Sequence, residues 1–129
     1  MIAKEKLNIL WSLEQTAEKY ANRVAVSDVN QELTWKELVK KAQIIGAELS
    51  EKVQPGNPVP VLLEKSSETL AVMLGIVYAG CFYVPVNPMN PTERLRKIME
   101  KLDPEVIISD EKGKEQLAAI GNGLENKVM

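Results

Sequence analysis

From Thr69 to Val86 the chain carries no charged side chain. A run of that length is near the lower limit for a membrane-spanning helix. Gly75, Gly80 and Pro85 interrupt it, and its second half, Cys81-Phe82-Tyr83-Val84-Pro85-Val86, is aromatic and β-branched as strands are. The run therefore reads as a buried helix, Leu70 to Ala79, leading into a buried strand, Phe82 to Val86, with Gly80 in the left-handed position that ends the helix. A helix apolar almost all round next to a strand without polar alternation points to a parallel sheet with helices on both faces.

The neighbouring segments fit that expectation. Leu7, Leu10, Leu13, Ala17 and Tyr20 make an apolar stripe for a helix from about Ala3 to Tyr20. Val24-Ala25-Val26-Ser27 and Glu32-Leu33, joined by Asp28-Val29-Asn30-Gln31, read as a small hairpin. Thr34 and Glu37 match a capping box, and Leu38, Ala42, Ile45 and Leu49 continue the helix they open to near Glu51. Gln54-Pro55-Gly56-Asn57-Pro58 is a turn. Val59 to Leu63 is a short strand whose Pro60, lacking a ladder donor, suggests an edge position or a late start. Ser66 or Ser67 caps the next helix, with Glu68 in its first turn. Asn90 as cap, Pro91 as first residue and Glu93 as third open another helix, with Leu95, Ile98, Met99 and Leu102 on one face and Asp103-Pro104 as its stop. Val106-Ile107-Ile108 is a strand, Asp110 caps a helix through Ile120, and a last strand is about to begin as the chain reaches Met129.

With 129 residues, 45% hydrophobic and 26% charged, the chain fits one globular domain. It contains no histidine, which removes Ser-His-Asp triads, histidine-ligated zinc and histidine acid–base chemistry together. Cys81 is the single cysteine, so no intrachain disulfide forms. Its apolar neighbours mark it as a core residue and favour a reducing, cytoplasmic setting. The start, Met1-Ile2-Ala3-Lys4-Glu5, has no signal-peptide pattern. A net charge of −2 with Lys and Glu interspersed excludes the basic stripe of a nucleic-acid binder.

Two segments then stand out together. Leu33-Thr34-Trp35-Lys36-Glu37-Leu38 resembles the first core motif of the adenylation domains of nonribosomal peptide synthetases. Ile76-Val77-Tyr78-Ala79-Gly80-Cys81-Phe82-Tyr83-Val84-Pro85-Val86-Asn87-Pro88 resembles the second. Pro91, Glu93 and Arg94 fall where that family has Pro-any-Glu-Arg, and Val61 to Ser66 is similar to its preceding strand. D-alanine–carrier-protein ligases are similar as well, with acyl-CoA synthetases and luciferases more distant. Tyr78 stands where Lys is common, Asn57 and Asn87 where Asp is usual, and Pro58 and Pro60 are atypical.

The resemblance implies that residues 1–129 are a fragment of the N-terminal subdomain of an adenylate-forming, AMP-binding enzyme. Such an enzyme uses ATP and Mg to activate a carboxylate, here an amino acid, as an acyl-adenylate. It then passes the acyl group to the phosphopantetheine thiol of a carrier protein, or to CoA. The Gly-rich phosphate loop with its Lys, the pocket, the ribose-binding Asp and the mobile C-terminal Lys are not in this sequence. No catalytic, cofactor-binding or metal residue is therefore assigned, no ATP or Mg is expected to bind this piece, and the chain alone is expected to be inactive. The expected partners are the remainder of the enzyme and a carrier protein or CoA, with self-association through exposed apolar surface and neither nucleic acid nor membrane. Arg94, Arg96, Lys97 and Lys101 on one helix read first as a solvated face and second as a phosphate-approaching one. The alternative from another class is a self-contained, non-catalytic α/β binding or scaffold module.

Overall fold

The computed structural model describes residues 8–129 and divides into two compact units, Met1–Leu49 with Lys65–Ala79, and Ser50–Glu64 with Gly80–Met129. The first unit contains α1 (Ile9–Lys19), β1 (Val24–Ser27), β2 (Glu32–Thr34), α2 (Trp35–Ser50) and α3 (Ser67–Tyr78). The Asn8 side chain caps α1 by accepting the Leu10 N–H at 2.8 Å. The expectation of a start near Ala3, and Leu7 of the stripe, lie outside the described residues. Strands β1 and β2 form the antiparallel hairpin, with an irregularity between Val24 and Val26. Leu13, Leu33, Leu38, Ala42, Ala71 and Leu74 make the core of this unit, so the apolar stripes of α1 and α2 face inward as their periodicity requires.

Helices α2 and α3 meet through glycine. A Cβ on Gly46 would stand 2.7 Å from Tyr78 Cβ and 2.9 Å from the Gly75 carbonyl oxygen, and one on Gly75 would stand 2.6 Å from Ile45 Cγ2. The two helices come this close because Gly46 and Gly75 present no Cβ at the crossing. Glycine inside a helix costs about 1 kcal/mol relative to alanine, so packing outweighs propensity here.

The second unit contains β3 (Pro58–Leu62), β4 (Phe82–Pro85), α4 (Thr92–Leu102), β5 (Ile108–Ser109), α5 (Glu111–Ile120) and a 3-10 turn, Leu124–Lys127. Its sheet is parallel, in the order β4-β3-β5. Leu62, Val86, Leu95, Met99, Ile107, Leu117 and Leu124 pack together as its core. The α/β class with a parallel sheet and a small hairpin is thus as expected.

Several local expectations need correction. Strand β3 is central rather than at an edge, despite Pro60. The Asn57 and Val61 carbonyl oxygens accept from Phe82 and Val86. Pro60, out of phase with both, turns away from β4 to a side where β5 pairs only from Val61 onward. Among the described residues strand β4 pairs only with β3, and it is not buried: Phe82 is 52% and Tyr83 41% exposed. Asn90 does not cap α4. Pro91 holds that position without a side-chain bond, and the helix stops where Asp103 takes a left-handed φ of 44°. The strand after Pro104 is Ile108–Ser109, one to two residues later than its β-branched run suggests. The tail first folds into the 3-10 turn, and Val128 then bridges Ile107 in parallel, as expected of a strand beginning near Met129.

Gly46→Ala tests the helix crossing. Overpacking of this kind costs about 1–3 kcal/mol, whereas helix propensity alone would make the variant more stable by up to about 1 kcal/mol. Urea unfolding is expected to show a net loss of stability.

Candidate functional site

The first motif is a reciprocal cap. The Thr34 N–H donates to Glu37 Oε1 at 2.9 Å, and the Glu37 N–H donates to Thr34 Oγ1 at 3.2 Å. These bonds satisfy two donors that a helix start leaves unpaired. They also hold the Glu37 carboxyl below its ordinary value, the Thr34 backbone bond being the largest cause. Both polar side chains of the motif are thereby committed to starting α2.

Sequence reasoning missed the residue that ties the hairpin to the rest of its unit. Asp28 Oδ1 accepts the N–H groups of Asn30 and Gln31 at 2.8 and 2.9 Å. Its Oδ2 accepts the Ser67 N–H at 2.8 Å and the Ser67 hydroxyl at 2.7 Å. One carboxylate therefore closes the hairpin turn and satisfies the first turn of α3, where the helix dipole favours an anion. Ser66 caps the same helix, its Oγ accepting the Thr69 N–H at 3.1 Å. Glu68 receives Lys41 and the Gln31 amide, and Lys41 is the first cause of its lowered pKa. The signal was an Asp at the head of a turn, which reads as a local Asx cap; its second, distant pair of partners had no signature.

The second motif is likewise structural. Gly80 takes φ +79° and its carbonyl accepts the Gly56 N–H at 2.8 Å. A Cβ there would be both strained and 3.3 Å from Pro55 Cβ. Buried Cys81 donates to the Gln54 carbonyl at 3.4 Å, as a core residue. Tyr78, in the position where Lys is common, donates its hydroxyl to Glu14 Oε1 at 2.7 Å and so ties α3 to α1. Burial, then Glu14, push this phenol up to about 12, leaving it protonated at neutral pH. Asn57 donates its amide to Glu105 Oε1 at 2.8 Å. The usual Asp would set two carboxylates face to face, so Glu105 accounts for that departure. Asn87 Oδ1 accepts the Met89 N–H, a bond the usual Asp would also make, and the Gln116 amide donates to the Pro88 carbonyl at 2.9 Å to anchor the proline loop.

The basic residues of α4 divide. Arg96 is held by Glu93 and Glu100 on its own helix, which raise its pKa further. Arg94, Lys97 and Lys101 are exposed. Among the described residues there is no group of three His, Cys, Asp or Glu placed to share a metal ion, and no helix long and apolar enough to cross a membrane. The positive-φ glycines, Gly56, Gly80, Gly121 and Gly123, belong to turns at helix or strand ends. Among the described residues, the side chains of both motifs position helices and strands.

The family model for "AMP-binding enzyme" matches residues 13–128. Over 107 residues the chain is 36% identical to bacitracin synthase 1 of Bacillus licheniformis, covering 82% of this chain and 2% of that one. Over 110 residues it is 32% identical to gramicidin S synthase 2 of Brevibacillus brevis, covering 84% and 2%. Among solved structures, VinN in complex with 3-methylaspartate superposes with a TM-score of 0.81 at 28% identity, covering 85% of this chain and 31% of VinN. The anthranilate CoA ligase AuaEII, at a TM-score of 0.79 and 24% identity, shares the fold; the match covers 84% of this chain and 21% of AuaEII. The chain thus spans a few per cent of the curated relatives' length and under a third of the solved neighbours'.

The Asp28 carboxyl is held well below the ordinary value of 3.8, chiefly by the Ser67 N–H and then its hydroxyl. A depressed folded-state pKa contributes stability that is complete above the unfolded value and lost as pH falls towards the folded one. Glu37 and Glu68 act in the same direction. Denaturant midpoints are therefore expected to fall between about pH 5 and about pH 3. Asp28→Asn should start lower at neutral pH, because its amide faces two donors of Ser67, and should show a shallower acid slope. Thr34→Ala should cost about 1 kcal/mol in the same assay.

Proposed function

Because this chain belongs to the AMP-binding enzyme family, we propose that it is scaffold from the N-terminal subdomain of an ATP-dependent ligase. That ligase would activate a carboxylate, and an amino acid in particular, as an acyl-adenylate. It would then transfer the acyl group to a carrier-protein or CoA thiol. Support for an amino acid comes from the peptide synthases it resembles and from VinN, whose structure holds 3-methylaspartate.

The observation that carries the scaffold reading is where the first motif's side chains and their neighbours in the same unit spend their polar atoms. Thr34, Glu37, Asp28, Ser66 and Ser67 bond to backbone or to one another at helix starts and a turn. Adenylate formation instead needs amides around the phosphates, a carboxylate on magnesium and a cation against the developing charge. Those groups would come from the remainder of the ligase, which is then this chain's principal partner, in a cytoplasmic setting. A second reading, a self-contained binding or scaffold module, is favoured by one observation: each unit closes its own apolar core.

ATP–pyrophosphate exchange separates the two. The chain alone is expected to give no exchange with any amino acid, and the chain joined to the coding sequence that follows Met129 to give exchange that depends on one of them. Exchange by the chain alone would overturn the scaffold assignment. A longer protein inert with every amino acid would overturn the proposed substrate class.

A further inference from the structure

Along a strand, successive residues turn their N–H and C=O groups to opposite neighbours. The Phe82 N–H donates to the Asn57 carbonyl at 3.3 Å, and the Val86 N–H to the Val61 carbonyl at 3.0 Å. Phe82, Val84 and Val86 therefore face β3, whereas Tyr83 and Pro85 face outward, where no strand lies among the described residues. The same two bonds turn Val59 and Val61 of β3 towards β4, and Pro58, Pro60 and Leu62 to the opposite side. There β5 pairs with Val61 and Leu62, and the full burial of Pro60 shows that this side of β3 is covered rather than open. Of the prolines of these strands, exposed Pro85 is the one whose phase points to the open edge. In the other phase Pro85 would delete a ladder donor to β3; here it deletes a donor that no ladder among the described residues uses.

We infer that Pro85 guards the open edge of the sheet by withholding an N–H group that an incoming strand would need. Strand β4 requires such a guard. Its Phe82 and Tyr83, on opposite faces of the sheet, are both largely exposed, and an apolar, unpaired edge is a template for strand addition. With Pro85 in place, β4 offers Tyr83 as its outward donor and then a gap. A strand from a second copy can form only an isolated pair of bonds there, too short a ladder to hold.

Pro85→Val restores the donor and adds a strand-forming side chain; Pro85→Ala restores the donor alone. Both are expected to raise the weight-average mass seen in sedimentation equilibrium above that of the parent at equal concentration, with association tighter by about tenfold for Pro85→Val. Adding Tyr83→Pro removes the remaining outward donor without touching a bond to β3, and Pro85→Val/Tyr83→Pro is expected to return to the parent's mass. Two results would overturn the inference: both single variants at the parent's mass, or the double variant associating as strongly as Pro85→Val, which would place the cause in lost packing rather than in the edge.

Discussion

The Asp28 carboxylate is the interaction on which the first unit depends. Four donors converge on it, two from its own turn and two from Ser67 at the start of α3. Charge-assisted bonds of this kind are roughly twice as strong as neutral ones, and here one group fixes both the hairpin's return and the place where a helix begins. The Thr34–Glu37 box then starts α2 immediately after the hairpin. Gly46 and Gly75 let α2 and α3 approach until Tyr78 and Ile45 close over the glycine backbones. Hairpin, cap and crossing fix the geometry in sequence, each constraining the element that the next one uses.

The second unit solves a different problem, that of a short parallel sheet with little strand to spare. Strand β5 reaches only two residues of β3, and among the described residues β4 has one neighbouring strand. Its cohesion comes from Leu62, Ile107, Leu117 and their neighbours. Gly113 allows the first turn of α5 to sit against β3: a Cβ there would stand 3.0 Å from Leu62 Cδ2 and 2.2 Å from Ser109 Oγ. Small residues and prolines, which weaken helices and strands in isolation, occur here where close approach or an open edge makes them useful.

Much of this was legible in the sequence, for identifiable reasons. Caps announce themselves within four residues, so Thr34 and Asp110 were found from local pattern alone and the cap of α3 was narrowed to Ser66 or Ser67. Amphipathic spacing placed the inward faces of α1, α2 and α4. What was not legible depended on neighbours far along the chain. The central place of β3 could not be read past Pro60, because the phase of a proline relative to its partner strands is a tertiary fact. The exposure of β4 was hidden for the same reason: an apolar run looks alike in the middle of a sheet and at its edge. Asp28 looked like a turn residue until Ser67, distant in sequence, arrived at its other oxygen.

The two motif segments through which the chain resembles adenylating domains are thus understood as joinery. Their polar atoms meet backbone, one another or a neighbouring helix, and their glycine and prolines set the direction of the chain. Nucleotide handling would then fall to segments supplied by the rest of such an enzyme. The most direct measurement is a titration of the isotopically labelled chain with ATP and magnesium, followed through the backbone amide resonances of Thr34, Glu37, Ser67, Gly80 and Met89. If the motifs are scaffold, these resonances stay where they are as nucleotide is added. Saturable shifts at those amides, converging on a single dissociation constant, would contradict that account.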